Sequence, residues 1–325
     1  MAQVCAINRD RYIDILKGIS IFMVVGVHTF KGTTDIYSVA LRELLTIAVP
    51  LFLAISGYLL ANKDLSTTEN KILFWKKQIP KIYIPMFIWS LFFWGLDIVG
   101  GSNILKSTVY LLLCGFSIYY YIAVQCQMYL LLPYLKKCES WLVIFITLIT
   151  LVIVSYLNRL FNILDIHPLL AENLCFEWLI FFYMGIKLRN SSSYYSLKLS
   201  LIILIVGWLL SIIETKWLVD NGIMAFGANK VSCYLMSVGF ILVFLSPKLR
   251  DSKLEVPVFN GFAKLGEISF PIYLTHCFVI LIVGVLRVSS TWLADWGIVL
   301  ILDTIFVLLL KRFMPMRLHR YLGIA

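Results

Sequence analysis

The chain has 325 residues, of which 61% are hydrophobic and only 14% are charged, and its formal net charge is +10. A soluble domain is about half apolar and a quarter charged, so this composition excludes an ordinary water-soluble globule and indicates an integral membrane protein. The cysteines form neither a Cys-x-x-Cys pair nor a metal spacing with histidine. We therefore expect no disulfide framework and no bound metal.

Apolar runs of about 19 residues predict an all-α, polytopic membrane protein of about ten transmembrane helices. The spans are expected at residues 12–31, 43–61, 79–99, 116–135, 141–158, 173–188, 198–214, 229–246, 266–287 and 292–310. A short interfacial or re-entrant piece is expected at residues 104–115. We predict one membrane domain over residues 1–325, with no appended soluble domain and no cleavable signal peptide.

The basic residues are distributed unevenly between the two sides of these spans. With the N-terminus inside, Lys and Arg are about three times as frequent in the cytoplasmic loops as in the outer loops, where Arg42 and Arg159 are placed. An even number of spans then puts both termini in the cytoplasm. Because the positive charge is mainly topological, we expect membrane lipids and no nucleic acid among the partners.

The first span carries Asp14, Lys17 and His28. Lys17 and His28 are eleven residues apart, which on an α-helix is about 16.5 Å along the axis and about 20° of net rotation. Since ionisable residues inside spans mark a functional interior by default, this shared stripe predicts a polar channel along the first helix. The alternatives are that Lys17 snorkels to the inner interface and that His28 is an interfacial residue near a helix end.

The second span ends in "ISGYLL", in which Ser56 can bond to backbone or ligand and Gly57 permits close helix approach. Helix packing is the plainer interpretation of this stretch. The following segment places basic side chains at the predicted cytoplasmic face. They are Lys71, Lys76, Lys77 and Lys81. Such a cluster suits either anionic lipid or the phosphates of an anionic ligand.

Two later spans also carry polar residues. Glu177 and Trp178 begin the sixth span, where a carboxylate beside an aromatic ring suits a hydroxyl-rich ligand such as a sugar. In the ninth span Ser269, Tyr273 and His276 share one helix face, and His276 needs a partner, the alternative being a structural hydrogen bond between helices. The other ionisable residues inside spans are Asp97, Glu267, Arg287 and Asp303.

Four stretches resemble motifs of the acyltransferase type 3 family of bacterial membrane acyltransferases. Lys17 to His28 is similar to that family's Arg/Lys-x10-His pattern, and "PLFLAISGYLL" is similar to its Phe-x-x-Ser-Gly-Tyr element. "KKQIPKIYIP" loosely resembles its basic segment, and "LGEISFPIYLTH" resembles its late Leu-Gly-x-x-Ser-x-x-Ile-Tyr-Leu-x-His motif. Lysine stands where arginine is commoner, both at position 17 and in the basic segment, and it lacks the bidentate fork of arginine.

The resemblance covers nearly the whole chain and implies an O-acyltransferase. The implied reaction moves an acyl group, expected to be acetyl, from cytoplasmic acyl-CoA to a hydroxyl of a cell-surface carbohydrate such as a polysaccharide or an O-antigen, free or lipid-linked. Acetyl-CoA or another acyl-CoA is the implied co-substrate, and no tightly bound cofactor is expected. The implied location is the bacterial inner (cytoplasmic) membrane.

The residue patterns and the family motifs together give expected roles to the residues singled out above. His28 and Lys17 are the expected catalytic residues, with His28 as general base in a direct transfer. The expected donor-binding residues are Lys76, Lys77, Lys81, Ser56 and Tyr58, the supporting residues are Asp14, Tyr273 and His276, and the acceptor-side residues are Glu177 and Trp178. The alternative function is a transporter or exporter of a glycan or small polar molecule, because ionisable residues inside helices also build proton relays.

Overall fold

The structure is a computed structural model that describes residues 10–191, 196–223, 227–250, 257–286 and 291–325. Within these ranges the chain forms helices and no strands. The first helices are α1 Arg11–Thr29, α2 Ile36–Leu45, α3 Ala48–Leu60, α4 Thr68–Val99, α5 Ile104–Leu112, α6 Tyr120–Leu135, α7 Ser140–Thr150 and α8 Pro168–Asn173. They are followed by α9 Leu179–Asn190, α10 Leu197–Asp220, α11 Val231–Phe244, α12 Pro247–Arg250, α13 Pro257–Glu267, α14 Ser269–Leu286, α15 Trp292–Phe313 and α16 Met316–Leu322.

The described helices confirm the predicted class of an all-α membrane protein. Eight helical stretches in the described ranges are long and apolar enough to cross a bilayer. They are Arg11–Thr29, Ile36–Leu60, Thr68–Val99, Ser140–Leu160, Pro168–Asn190, Leu197–Asp220, Ser269–Leu286 and Trp292–Phe313. The shorter helices α6 and α11 lie at the other two predicted spans. The number of ten membrane crossings remains a prediction. The cytoplasmic location of both termini also remains a prediction.

Helix α1 lies at the centre of the bundle. In an apolar 18-residue stretch of α1, 72% of the residues are buried, whereas only 17% are buried in the corresponding stretches of α4 and α10. The exposed surface of α10 consists largely of leucine and isoleucine, as a lipid-facing helix requires. Most of α1 is therefore enclosed by other helices.

Helices α3 and α9 touch backbone to backbone at two glycines. A Cβ atom built on Gly57 would lie 2.0 Å from the carbonyl oxygen of Phe182, and one built on Gly185 would lie 1.9 Å from that of Ala54. Helices α1 and α13 meet in the same way. Small residues allow this approach in membranes, where van der Waals packing holds helices together.

We expect Gly185→Ala to destabilise the protein by about 1–3 kcal/mol or more, because the added methyl group would overlap the backbone of α3. The matched control is Gly284→Ala on α14, where nothing lies within 4 Å of the position of the new Cβ atom. The thermal unfolding midpoints of both variants in one detergent provide the measurement. Equal midpoints would contradict the close packing.

Several of the membrane segments are interrupted, including Ile36–Leu60, in which α2 ends at Leu45 and α3 begins at Ala48. A 3₁₀ turn at Ser117–Tyr119 separates α5 from α6, and another at Phe176–Trp178 separates α8 from α9. Helix α7 continues as the π-helical segment Leu151–Leu160. Non-helical backbone inside a membrane protein is tolerated where it lines a cavity, and π-helical turns often occur at functional sites.

Helix α14 holds the break between α5 and α6 in place. The Tyr273 hydroxyl donates a hydrogen bond to the carbonyl oxygen of Ile118 at 2.5 Å. In return, the Tyr119 hydroxyl donates to the carbonyl oxygen of Leu274 at 2.8 Å. Tyr273, which the sequence placed beside His276, therefore ties α14 to the backbone of the break.

Candidate active site

A cavity of about 530 Å³ lies where the interrupted segments meet the ends of α1 and α2. Its volume is in the range typical of ligand pockets. The polar side chains that line it are His28, Arg42, Thr46, Tyr120, Tyr121, Ser155, Arg159, Glu172, Glu177, Asn229, Lys230 and Tyr273. Because ionisable side chains are costly inside an apolar bundle, this concentration marks a candidate site for binding or chemistry.

His28 lies on the last turn of α1 and is exposed to this cavity. No side chain or backbone group in the described ranges forms a hydrogen bond with it. The centroid of its ring lies 5.3 Å from that of His276, with an angle of 48° between the ring planes. The two histidines that the sequence places in different spans thus form a pair.

His276 is fully buried on α14. Its Nδ1 atom lies 2.9 Å from the carbonyl oxygen of Tyr273 and 3.1 Å from that of Ile272. A carbonyl only accepts hydrogen bonds, so Nδ1 carries the proton and the neutral ring keeps a lone pair on Nε2. That Nε2 atom has no hydrogen-bond partner among the described residues. The hydrogen-bond partners that we expected for His276 are thus carbonyl groups of its own helix, and they bind only Nδ1.

Glu177 is 1% exposed and is held by three donors. Arg159 Nη1 lies 3.0 Å from Oε1, Asn229 Nδ2 donates to Oε1 at 2.8 Å, and Ser155 Oγ donates to Oε2 at 3.0 Å. Arg159 also donates to the carbonyl oxygen of Ala171. This network ties the π-helical segment to the start of α9 and satisfies the buried charge.

Trp178 lines the same cavity and is 2% exposed. Its ring lies between those of Tyr120 and Tyr234, with centroid distances of 6.4 Å and 6.2 Å. Its indole Nε1 has no hydrogen-bond partner among the described residues. The packed wall of the cavity therefore contains one indole donor that is unused among the described residues.

Arg42 and Lys230 are buried cations that sequence reasoning missed. Arg42 lies on α2, which begins at Ile36, so the helix starts earlier than the expected span at residues 43–61 and takes this arginine out of the outer loop. Lys230 Nζ lies 2.9 Å from Glu43 Oε2 and also bonds to Thr215. The signal available in the sequence was the adjacent pair Arg42 and Glu43 within the largely apolar stretch "IYSVALRELL".

Lys17 and Asp14 form an ion pair on α1, with 3.3 Å between Lys17 Nζ and Asp14 Oδ1. Neither residue lines the cavity around His28. The predicted stripe therefore has a charge pair near the beginning of α1 and an imidazole at its end. Of the other ionisable residues predicted inside spans, Asp303 accepts a hydrogen bond from Thr275 at 2.6 Å, and Arg287 lies outside the described residues.

Two arginines contact Tyr58 at the end of the bundle where α1 begins. Arg189 donates to its hydroxyl at 3.1 Å and lies over its ring at 4.8 Å from the centroid. Arg250 also bonds to the hydroxyl and lies 3.9 Å from Asp10, which caps α1. Ser56 lies two residues before Tyr58 on α3, and its side chain is close enough to act on the Tyr121 hydroxyl.

Lys76, Lys77 and Lys81 are exposed on α4. The loop before α4 is ordered by Asp64, whose pKa is held below its usual range by hydrogen bonds from the backbone and hydroxyl of Ser66. The lysines thus project from a fixed helix and remain available to an anion. Within the described ranges no three His, Cys, Asp or Glu side chains come together to hold a metal ion.

The fold and the cavity define a polytopic membrane protein with a polar, histidine-bearing site enclosed by its helices. The sequence model of a family described as "Acyltransferase domain" matches residues 10–312. The chain therefore belongs to the acyltransferase type 3 family and is a membrane acyltransferase. Searches of curated proteins and of solved structures give no match.

Proposed function

We propose that this protein is an O-acetyltransferase of the bacterial inner membrane that transfers the acyl group of cytoplasmic acyl-CoA to a hydroxyl of a cell-surface carbohydrate. The observation that carries the proposal is the His28–His276 pair, in which an imidazole with no partner among the described residues opens into a polar cavity. A hydroxyl is a poor nucleophile until a base takes its proton, and histidine is the usual base near neutral pH.

In this proposal His28 removes the proton of the acceptor hydroxyl as its oxygen attacks the thioester carbonyl. The new C–O ester bond forms, the C–S bond breaks, and the proton passes from His28 to the CoA thiolate. His276 keeps its own proton on Nδ1, so its Nε2 lone pair can receive a hydrogen bond from His28 while His28 is charged. His276 is thus a positioning residue for the base.

The donor is proposed to bind at the end of the bundle where α1 begins. Its phosphates carry several negative charges, which suit Lys76, Lys77 and Lys81 on α4 and the arginine pair at Tyr58. The pantetheine arm then extends along α1 past the Lys17–Asp14 pair towards His28.

Neutralising the lysines in a triple variant, Lys76→Gln, Lys77→Gln and Lys81→Gln, is expected to weaken acyl-CoA binding by about tenfold, since exposed charges contribute about 0.2–1 kcal/mol each. Titration of the detergent-purified protein with acetyl-CoA gives the affinity. Lys106→Gln, an exposed lysine on α5, is the control for a nonspecific charge effect. An unchanged affinity in the triple variant would assign the segment to lipid contact.

The proposed function is tested by the release of free CoA from acetyl-CoA in nanodiscs containing the purified protein. We expect release to require a carbohydrate acceptor and to be matched by acetylated product. A transporter has no reason to break the thioester. Transport of the carbohydrate with no CoA release would therefore replace the proposal with the transporter function.

A further inference from the structure

Arg42 is the starting point for an inference about the acceptor, and this inference rests on the proposed function. Its side chain lines the cavity beside His28, yet the residue is only 7% exposed. Its Nε and Nη1 atoms have no hydrogen-bond partner among the described residues. The Phe30 ring lies beside the guanidinium group, with 5.7 Å between the ring centroid and the guanidinium carbon.

The other cations of the cavity are neutralised by buried carboxylates. Arg159 is paired with Glu177 at 3.0 Å, and Lys230 is paired with Glu43 at 2.9 Å. Glu172, the remaining acidic residue of the lining, is exposed and forms no ion pair in the described structure. Glu43 also acts electrostatically on Arg42, but its ion pair is with Lys230, so these two cations share one buried carboxylate and one positive charge is left in excess within the described walls.

A buried charge with neither a counter-ion nor hydrogen bonds is costly, and a guanidinium cannot discard its proton to avoid the cost. A bound anion removes that cost. Carboxylates and phosphates match the planar donors of arginine.

We propose that Arg42 binds a negatively charged group of the acceptor, so that the carbohydrate is acidic and carries a carboxylate or a phosphate near the hydroxyl that is acylated. The permanent charge favours this assignment over a role limited to the transition state. A thioester and a sugar hydroxyl are both neutral before they react, and they would leave the charge of Arg42 unbalanced in the resting complex.

The first test measures anion binding without acyl-CoA. The full-length protein in nanodiscs is heated with glucuronate, glucose 1-phosphate or glucose at equal concentration and ionic strength. We expect an acidic sugar, and not glucose, to raise the unfolding midpoint. The sugar that does so distinguishes a carboxylate from a phosphate. No rise with either acidic sugar, or an equal rise with glucose, would overturn the proposal.

In Arg42→Gln, the acidic sugar should raise the unfolding midpoint no more than glucose does. Without any sugar, the midpoint of Arg42→Gln should equal or exceed that of the wild type, because a buried charge is removed. Arg312→Gln, the same change at an exposed position on α15, is the control and should keep the difference. Arg42→Lys retains the positive charge and should keep part of the extra stabilisation by the acidic sugar. This variant provides the test if Arg42→Gln fails to fold. Retention of the full difference by Arg42→Gln would overturn the proposal.

The second test separates this proposal from the proposed function. With acetyl-CoA and an acidic acceptor, Arg42→Gln should raise KM for the acceptor by roughly tenfold to hundredfold, the range for a charged hydrogen bond, and leave kcat near the wild-type value. A lower kcat with unchanged KM would assign Arg42 to the transition state and overturn an acceptor-binding role. Anion binding without any acetyl transfer would refute the acetyltransferase and leave the anion site standing.

Discussion

Replacing His28 with alanine is expected to lower acetyl transfer by about 10²–10⁴-fold, the usual contribution of one positioned general base. The reason is structural as well as chemical. His28 is exposed to the cavity, and its ring lies 5.3 Å, centroid to centroid, from that of His276, whose Nε2 has no partner among the described residues. The measurement is the initial rate of acetylated product at saturating acetyl-CoA, with folding confirmed by the unfolding midpoint.

Two controls make this result specific to the base. Acetyl-CoA affinity should change little in His28→Ala, because the residues proposed to bind the CoA phosphates lie at the other end of α1 and only the thioester reaches His28. The double variant His28→Ala and His276→Ala should be no slower than His28→Ala alone, because residues that act as a unit are not additive. Wild-type rates in His28→Ala would remove the catalytic assignment, and fully additive losses would remove the positioning role of His276.

The second large effect is expected on stability. Arg159→Ala should lower the free energy of unfolding by about 3–5 kcal/mol, because it leaves the Glu177 carboxylate buried without its counter-ion. Ser155 and Asn229 would remain as donors, but neither carries a charge. Chemical denaturation in one mild detergent gives the difference between variant and wild type.

An exposed ion pair supplies the comparison. Lys216 Nζ lies 3.5 Å from Asp220 Oδ1 on α10, with side-chain exposures of 35% and 66%. Lys216→Ala should cost less than about 1 kcal/mol, because water already solvates both partners. Arg159→Ala with Glu177→Leu should recover part of the loss by removing the stranded charge. Equal effects of Arg159→Ala and Lys216→Ala would mean that Glu177 is not confined as described.

The class of fold follows from the sequence because apolar length alone decides which segments can cross a bilayer. Most expected spans agree with helices to within a few residues, as at residues 292–310 and α15. The interruptions are less visible, since hydropathy averages over a window and is the same for α-helical, π-helical and 3₁₀ backbone. The short piece expected at residues 104–115 coincides with α5 and the break that follows it, but the sequence alone could not locate the break at Phe176–Trp178 or the π-helical segment Leu151–Leu160.

For the candidate site, the sequence predicted which residues share a face of one helix, but not which residues of different helices meet. Helical spacing relates His28 to Lys17 on α1, but it contains no information on which helices are neighbours. The approach of His28 to His276 and the pairing of Glu177 with Arg159 depend on packing between distant segments. Arg42 was misplaced for the same reason, because a count of charges by loop treats every arginine near a helix end as exposed.

The interrupted helices suggest how relatives of this protein can diverge. The two histidines are on uninterrupted helices, α1 and α14, whereas much of the surrounding wall comes from segments where a regular helix stops. Insertions and substitutions are tolerated best where regular secondary structure ends. We therefore expect new substrates to be acquired by exchange of these short wall segments between homologues, while the helices that carry the histidines are inherited unchanged.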